Sequence, residues 1–285
     1  MEERLKSVCA HIGSILAILA GLGGPAHAQS DGSQPVPSKC MAIAQSLPKA
    51  QFASYQPAQA EAGEVVITYA GHSTYIIETP GGVRVATDYS GAYGADPLPR
   101  VVTMNKAHRT HFSPSPDPAI EYVLRGWNQD GDGPARHAVV VDDIYIRNVP
   151  TDIRRFDGME KDGNSIFVFE VAGLCIGHLG HLHHEPTPEQ FAALGRLDVV
   201  MAAVDGSNTL DLPSMIAVLK RLKSSIVIPM HWFGGPTLDV FLAGMADEFA
   251  IVRGKESDLT VSLRTLPSRP TVHVLFPRYL RDPTD

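Results

Sequence analysis

Residues 175–185 read CIGHLGHLHHE, with four histidines (His178, His181, His183, His184) in seven positions directly after an apolar run. Imidazole is the commonest protein ligand for zinc-like ions and the usual general base near neutral pH, so the stretch offers metal binding or acid–base chemistry. An exposed histidine-rich loop is the plainer reading. The rest of the chain weighs on the choice. His72 ends an apolar run in ITYAGHS, His108 and His111 follow VVTM, and His231 closes VIPMHW. Of the twelve histidines, these eight stand where an apolar strand gives way to a loop; His137 and His273 do not, and His11 and His27 lie in the N-terminal leader. One strand-end histidine is more often a hydrogen-bonded surface residue than a ligand. Four strand ends behaving alike make a pattern, because the strands of a layered sheet release their loops along a common edge where residues distant in sequence meet. His108 and His111, three apart, share one face of a helical turn.

The elements that must position these residues are legible as runs. EVVITYA, STYIIET and VRVATD, broken at Gly71-His72 and Pro80-Gly81-Gly82, read as short strands, and VVTM as another. A helical patch is expected near 118–125, then a meander of strands through HAVVVDDIYIRNV, NSIFVFEV and LCIGHL. Thr187-Pro188-Glu189-Gln190 is a capping box with proline at the first helical position, so the loop before it carries the histidine cluster. Beyond it helix and strand alternate: DVVMAAVD, DLPSMIAVLKRL, SIVIPMHW and PTLDVFLAGMADEF. Packed sheets with helices outside, an α/β domain over residues 63–285, follow from that order.

Residues 15–22, ILAILAGL, followed by PAHAQS read as a secretory signal peptide cleaved after Ala28, and the Ser-, Gln-, Pro- and Ala-rich stretch 29–62 as an extended segment. The apolar run falls short of the roughly 20 residues of a bilayer span. A periplasmic or secreted location is therefore expected, with no membrane association once the leader is removed. The net charge of −7 weighs against nucleic acid as a partner and leaves a small-molecule substrate. Cys40 and Cys175 would share an oxidising compartment. Cys175 sits inside an apolar run, so an inert buried thiol is expected ahead of a Cys40–Cys175 bridge. NQDGDG (128–133) imitates a calcium loop, but Pro134 follows and Val139 stands where a glutamate is needed; a turn is expected. Trp127 and Trp232 are read as packing residues that could line a cleft. The chain lacks a G-x-S-x-G elbow and a phosphate loop, which removes support for serine-hydrolase and nucleotidase readings.

In order and spacing, ITYAGHSTYIIETPGGVRVATD, VVTMNKAHRTH, GNSIFVFEVAGLCIGHLG, DVVMAAVDG and VIPMHW resemble the metallo-β-lactamase superfamily, in particular its ascorbate-6-phosphate-lactonase-like metal-dependent hydrolases. The resemblance covers about 64–250 and implies an αββα sandwich with a metal site at one edge of the sheets. It also implies departures. The family's H-x-H-x-D-H motif falls on Lys106-Ala107-His108-Arg109-Thr110-His111, a further family histidine falls near Ile153, and the bridging aspartate of H-x-G-D corresponds to His181. What remains as ligands is His108, His111, His231 and, by substitution, His181. Two divalent cations side by side need anionic ligands between them, so one ion is expected, nearest His111, His181 and His231, with His108 as fourth ligand or as partner of its water. Zinc is the first expectation, although imidazole sites also suit iron, nickel and copper. Lys106 would bind an anionic group or a developing oxyanion, His72 and His178 would face the ligands or the substrate, and Asp88 and Asp205 would fix loops; His183 and His184 receive no role. The functional expectation is an exported hydrolase using a metal-bound hydroxide on a small ester, lactone or phosphoester. Its rival is a non-catalytic metal- or ligand-binding protein on the same scaffold.

Overall fold

In the strand Val199–Ala203, Val199, Met201 and Ala203 face one core while Val200 and Ala202 face another. That is the two-residue period of a strand buried on both sides. The computed structural model describes residues 38–41, 63–131 and 133–278, all within the unit Pro35–Asp285. The leader read at 1–28 and most of the 29–62 segment lie outside the described residues. In chain order the elements are β1 (Val65–Gly71), β2 (Thr74–Glu78), β3 (Arg84–Ala86), β4 (Val101–Met104), β5 (Tyr122–Arg125), β6 (Ala138–Val141), β7 (Ile144–Arg155), β8 (Gly158–Val171), β9 (Leu174–His178), α1 (Pro188–Leu194), β10 (Val199–Ala203), α2 (Leu212–Leu222), β11 (Ile226–Met230), α3 (Gly235–Met245), β12 (Ala250–Arg253), β13 (Asp258–Val261) and β14 (Thr271–Val274).

They form a six-stranded sheet in the order β13-β1-β2-β3-β4-β5 and an eight-stranded sheet in the order β12-β14-β11-β10-β9-β8-β7-β6. Both are mixed. Short turns give antiparallel pairs from β6 to β9, and the helical crossovers after β9 give parallel pairs between β9, β10 and β11. Ile67, Tyr75, Val85, Phe167, Phe169, Ile176, Met201 and Ile228 belong to the core between the sheets. On the outer face of the larger sheet Val200, Val227 and Cys175 pack against Leu194 of α1, Met215 and Leu219 of α2, and Phe241 and Met245 of α3. The outer face of the smaller sheet is covered by Tyr89, Phe112, Ile120 and Trp127 from connecting segments. The expected α/β sandwich is therefore present; its described helices all lie on one side.

Two local expectations are corrected. The patch near 118–125 is not helical: Tyr122–Arg125 forms β5, in parallel register with Val101–Met104 of β4, and Ile120 closes a turn on Asp117. Pairing with an existing sheet edge overrides a weak local helical preference. Cys175 is not a free thiol but is bonded to Cys40. Glu170 brings the two together, accepting hydrogen bonds from Ser38 Oγ at 2.5 Å, Lys39 N at 2.9 Å and Cys40 N at 3.3 Å. Arg147 in turn donates to Glu170 at 2.8 Å and to the carbonyls of Ala193 and Leu194 at the end of α1, each at 2.7 Å.

Candidate metal centre

Because β9, β10 and β11 are parallel neighbours, their C-terminal ends lie along one sheet edge. His178 ends β9 with His181 three residues on, Asp205 follows β10, and His231 follows β11. From the other sheet, the segment after β4 brings His108 and His111 to the same place. His231 N–H donates to the His72 carbonyl at 3.0 Å, joining the end of β11 to the β1–β2 turn. Both histidines hold left-handed backbone, with φ of 53° at His72 and 56° at His231. Such conformations cost about 1–3 kcal/mol each and persist where surroundings enforce them.

One donor atom from each of His108, His111, His181 and His231 lies within 4.8 Å of the other three. Bonds of about 2.0–2.1 Å to a tetrahedral zinc place donors roughly 3.3 Å apart, so small side-chain adjustments close the set on one ion. Two of the four imidazoles are held by carboxylates. His111 Nδ1 faces Asp88 Oδ2 at 2.6 Å and Ser73 Oγ at 3.0 Å; His231 Nδ1 faces Asp205 Oδ1 at 3.1 Å. A carboxylate only accepts, so it keeps each proton on Nδ1 and leaves a lone pair on Nε2. Both Nε2 atoms are buried and have no hydrogen-bond partner. A buried, unpartnered acceptor is costly unless something else takes its lone pair.

His108 and His181 are poised differently. Their Nε2 atoms face each other at 3.0 Å. His108 Nδ1 lies 2.6 Å from Thr110 Oγ1, which is also 2.9 Å from His72 Nε2. His181 Nδ1 lies 2.6 Å from His183 Nε2, and His183 Nδ1 accepts the backbone N–H of Arg154. That backbone donor fixes the His183 proton on Nε2, pointing at His181, and leaves one proton shared between the facing Nε2 atoms of His181 and His108. His181 also depends on a glycine. Gly180 has φ of 61°, and a Cβ there would stand 2.4 Å from Asn105 Nδ2 and 2.5 Å from Asn164 Oδ1. Without it, Asn164 Oδ1 accepts His181 N–H at 2.8 Å.

The remaining candidates fall at varied distances from this centre. His72 sits beside it, its ring centroid 4.3 Å from that of His231 and 5.1 Å from that of His111. His178 is fully buried beneath it, with Nε2 donating to Ser73 O at 2.9 Å and Nδ1 accepting Gly180 N–H at 3.1 Å, so it supports the turn and loop instead of facing substrate. Lys106 turns to Glu160, Nζ to Oε1 2.5 Å, and Glu160 also takes Arg155 at 2.8 Å. Asp88 and Asp205 each hold an imidazole and a loop: Asp88 accepts from Asn105 at 2.8 Å, and Asp205 accepts the N–H of Asn208 at 2.6 Å. His184 Nε2 accepts Asp152 N–H at 3.0 Å. Trp127 packs on Phe112, and Trp232 packs against the core beneath the helices. Asn105, Asn164, Ser73 and Thr110 escape the sequence reading, since single polar residues at strand boundaries carry no spacing signature. A cleft of about 430 Å³ opens beside the centre, lined by Ala107, His108, Arg154, His181, His183, Ser207 and Asn208.

Burial, reinforced by neighbouring imidazoles, holds His111, His181 and His108 below the ordinary histidine range. His72 is lowered to about 4 by burial and by His231 and His108, and His183 to about 4 by burial and Arg154. The two carboxylates part company. Burial raises Asp88 to about 6 against the pull of His178 and Asn105. Burial also works to raise Asp205, but hydrogen bonds from His231, Thr209 and Asn208 outweigh it and hold the group below the ordinary carboxylate range. Neutral imidazoles around a pocket backed by carboxylates are suited to a cation.

The model of the beta-lactamase superfamily domain matches residues 66–231, from β1 to the last of the four histidines. Among solved structures the chain is similar to one from Thermotoga maritima described as a Zn-dependent hydrolase of the metallo-beta-lactamase superfamily, with 27% identity and a TM-score of 0.52 over 74% of this chain and 98% of that one. It is also similar in fold to one from Parabacteroides distasonis described as a metal-dependent hydrolase, with 14% identity and a TM-score of 0.51 over 65% and 90%. No curated protein matches.

Proposed function

The chain belongs to the beta-lactamase superfamily, and from that premise we propose that it is an exported metal-dependent hydrolase holding one divalent cation, zinc first, and acting on a small ester, lactone or phosphoester. The observation that carries the reading is the pair of buried Nε2 atoms on His111 and His231, each without a partner and each aimed by a carboxylate on Nδ1. His108 and His181 complete a four-imidazole set. Bound there, a divalent cation supplies Lewis acidity toward water and toward the oxygen of a carbonyl or phosphoryl group.

The chain's own residues do the rest. Asp88 and Asp205 fix the tautomers of His111 and His231 and, when ionised, supply two negative charges, which balance one dication and not two. Arg154 is tied by Nη2 to the carbonyls of Ser207 at 2.9 Å and Thr209 at 3.2 Å, placing a cation on the cleft wall where it favours an anionic or strongly polar substrate group. His72, kept neutral by burial, faces the centre and shares Thr110 Oγ1 with His108, so it can accept or pass a proton at Nε2. Lys106, engaged by Glu160, is assigned to holding the β7–β8 hairpin against the 106–108 loop. The Cys40–Cys175 bond supports a periplasmic or secreted location, because structural disulfides persist in oxidising compartments.

The test is metal analysis and turnover on one preparation. Protein purified from its native compartment should carry about one equivalent of metal and hydrolyse members of an ester, lactone and phosphoester panel, with activity lost on chelation and regained on zinc addition. Bound metal with no turnover across the panel would favour the non-catalytic binding protein. Two tightly held equivalents would refute the charge argument.

A further inference from the structure

Phe233 stands two residues beyond His231 and keeps 65% of its surface exposed. Its ring nevertheless lies against the centre, edge-on to His231 with centroids 4.7 Å apart and 5.8 Å from His72. His231 and His72 thus border an apolar wall. His181 and His108 border the separate cleft lined also by Arg154, His183, Ser207 and Asn208, whose lining is polar. The four donor atoms, all within 4.8 Å of one another, thus adjoin Phe233 through His231 and the cleft through His108 and His181. A phenyl ring that served only to brace His231 would be expected to bury most of its area in doing so; this one leaves most of its surface free at the rim of the site, where an apolar group of a bound molecule would cover it.

We infer that Phe233 determines specificity by contacting an apolar acyl or alkyl group of the substrate, while the polar cleft at Arg154 takes the other fragment. The inference rests on the hydrolase reading and narrows it: the preferred ester, lactone or phosphoester carries an apolar substituent on one side of the scissile bond and a polar or anionic group on the other. Because Phe233 is largely exposed, its truncation removes the contact without opening the core.

n-Alkylphosphonates from methyl to hexyl test the idea on the zinc-loaded protein by calorimetry, since the phosphonate supplies oxygen donors to the cation and the chain reports on the wall. Full burial of a methylene is worth about fourfold in affinity. A one-sided contact should give roughly half of that effect in free energy, about twofold per carbon and roughly eightfold from methyl to butyl. Phe233→Ala should leave zinc content and methylphosphonate affinity unchanged and flatten the chain-length dependence to within about twofold overall, Phe233→Leu should keep most of it, and Val240→Ser, on exposed α3 surface, should keep all of it. A wild-type protein without chain-length dependence, or Phe233→Ala with the wild-type dependence, would overturn the inference while leaving the metal centre standing. Loss of zinc from Phe233→Ala would overturn it by making the ring a brace for His231. Failure of the zinc-loaded protein to bind methylphosphonate at all would count against both this inference and the hydrolase reading.

Discussion

At the scale of single residues, His111 and His231 owe their readiness to hydrogen placement. An acceptor-only carboxylate on Nδ1 leaves Nε2 bare, whereas an amide in the same place can donate and so drive the proton to Nε2. Asp88→Asn should therefore lower zinc affinity by at least tenfold and toward 100-fold, read by competition with a chromogenic chelator. An unchanged affinity would mean that the Asp88–His111 contact at 2.6 Å does not set the tautomer. His181→Ala should remove most of the bound metal. The proton that His181 holds on Nε2 toward His108 must shift to Nδ1 when Nε2 takes an ion, a change of tautomer with no net loss of a proton. Because burial holds His108, His111 and His181 below the ordinary histidine range, zinc uptake at pH 7 should release almost no proton from these rings, measurable by titration calorimetry in buffers of different ionisation enthalpy; release of one proton or more per ion would show that they are protonated before binding or that a bound water ionises.

At the scale of elements, the centre depends on parallel strands ending together and on the irregular segments that follow them. β9 carries Cys175 near its start and His178 at its end, so one strand ties the N-terminal segment at 38–41 to the site. Removing the bridge with Cys40→Ser and Cys175→Ser should cost about 2–5 kcal/mol, or roughly 5–15 °C in Tm for a domain of this size. Metal stoichiometry should stay at one, because Glu170, the interior of β9 and the four clustered imidazoles are untouched; loss of metal would show that the tie also sets the strand end. Gly180→Ala should act oppositely. Its Cβ would press on Asn105 and Asn164 in a left-handed conformation, displacing the His181 loop and reducing bound metal more than stability.

Across the whole molecule, the clustering of buried imidazoles makes stability depend on pH. Burial lowers His72 and His183 to about 4 and also lowers His108, His111, His178, His181 and His273. Below the ordinary value of 6.5 the unfolded chain binds more protons at these sites than the folded one, so the metal-free protein loses stability as pH falls from 6.5 toward 4. Asp88, raised to about 6, and Asp162 and Asp198, also raised by burial, have the opposite sign above the ordinary carboxylate value, but they are three groups against seven. Thermal melts of chelator-treated protein should show Tm falling by several degrees from pH 7.5 to pH 5, at roughly 2–4 °C per kcal/mol for this size. A flat profile would indicate that the histidines are open to water in the metal-free state.

Period and punctuation in the sequence determined the strands, the capped helix after the histidine cluster and the placing of histidines at strand ends, because two-residue alternation and proline-led caps are local physics. The order of those runs was enough to imply packed sheets and a shared edge. Only the tertiary structure decided the rest. Tyr122–Arg125 became a strand because β4 offered an edge to pair with, and Cys175 found Cys40 because Glu170 holds residues 38–41 beside it. Lys106 is drawn to Glu160, 54 residues away in the chain. Which nitrogen of each histidine is free depends on Asp88, Asp205, Thr110 and Arg154, partners brought in by long-range packing and invisible to spacing. A sequence can place an imidazole at a strand end; the direction of its lone pair is fixed only when distant donors and acceptors close around it.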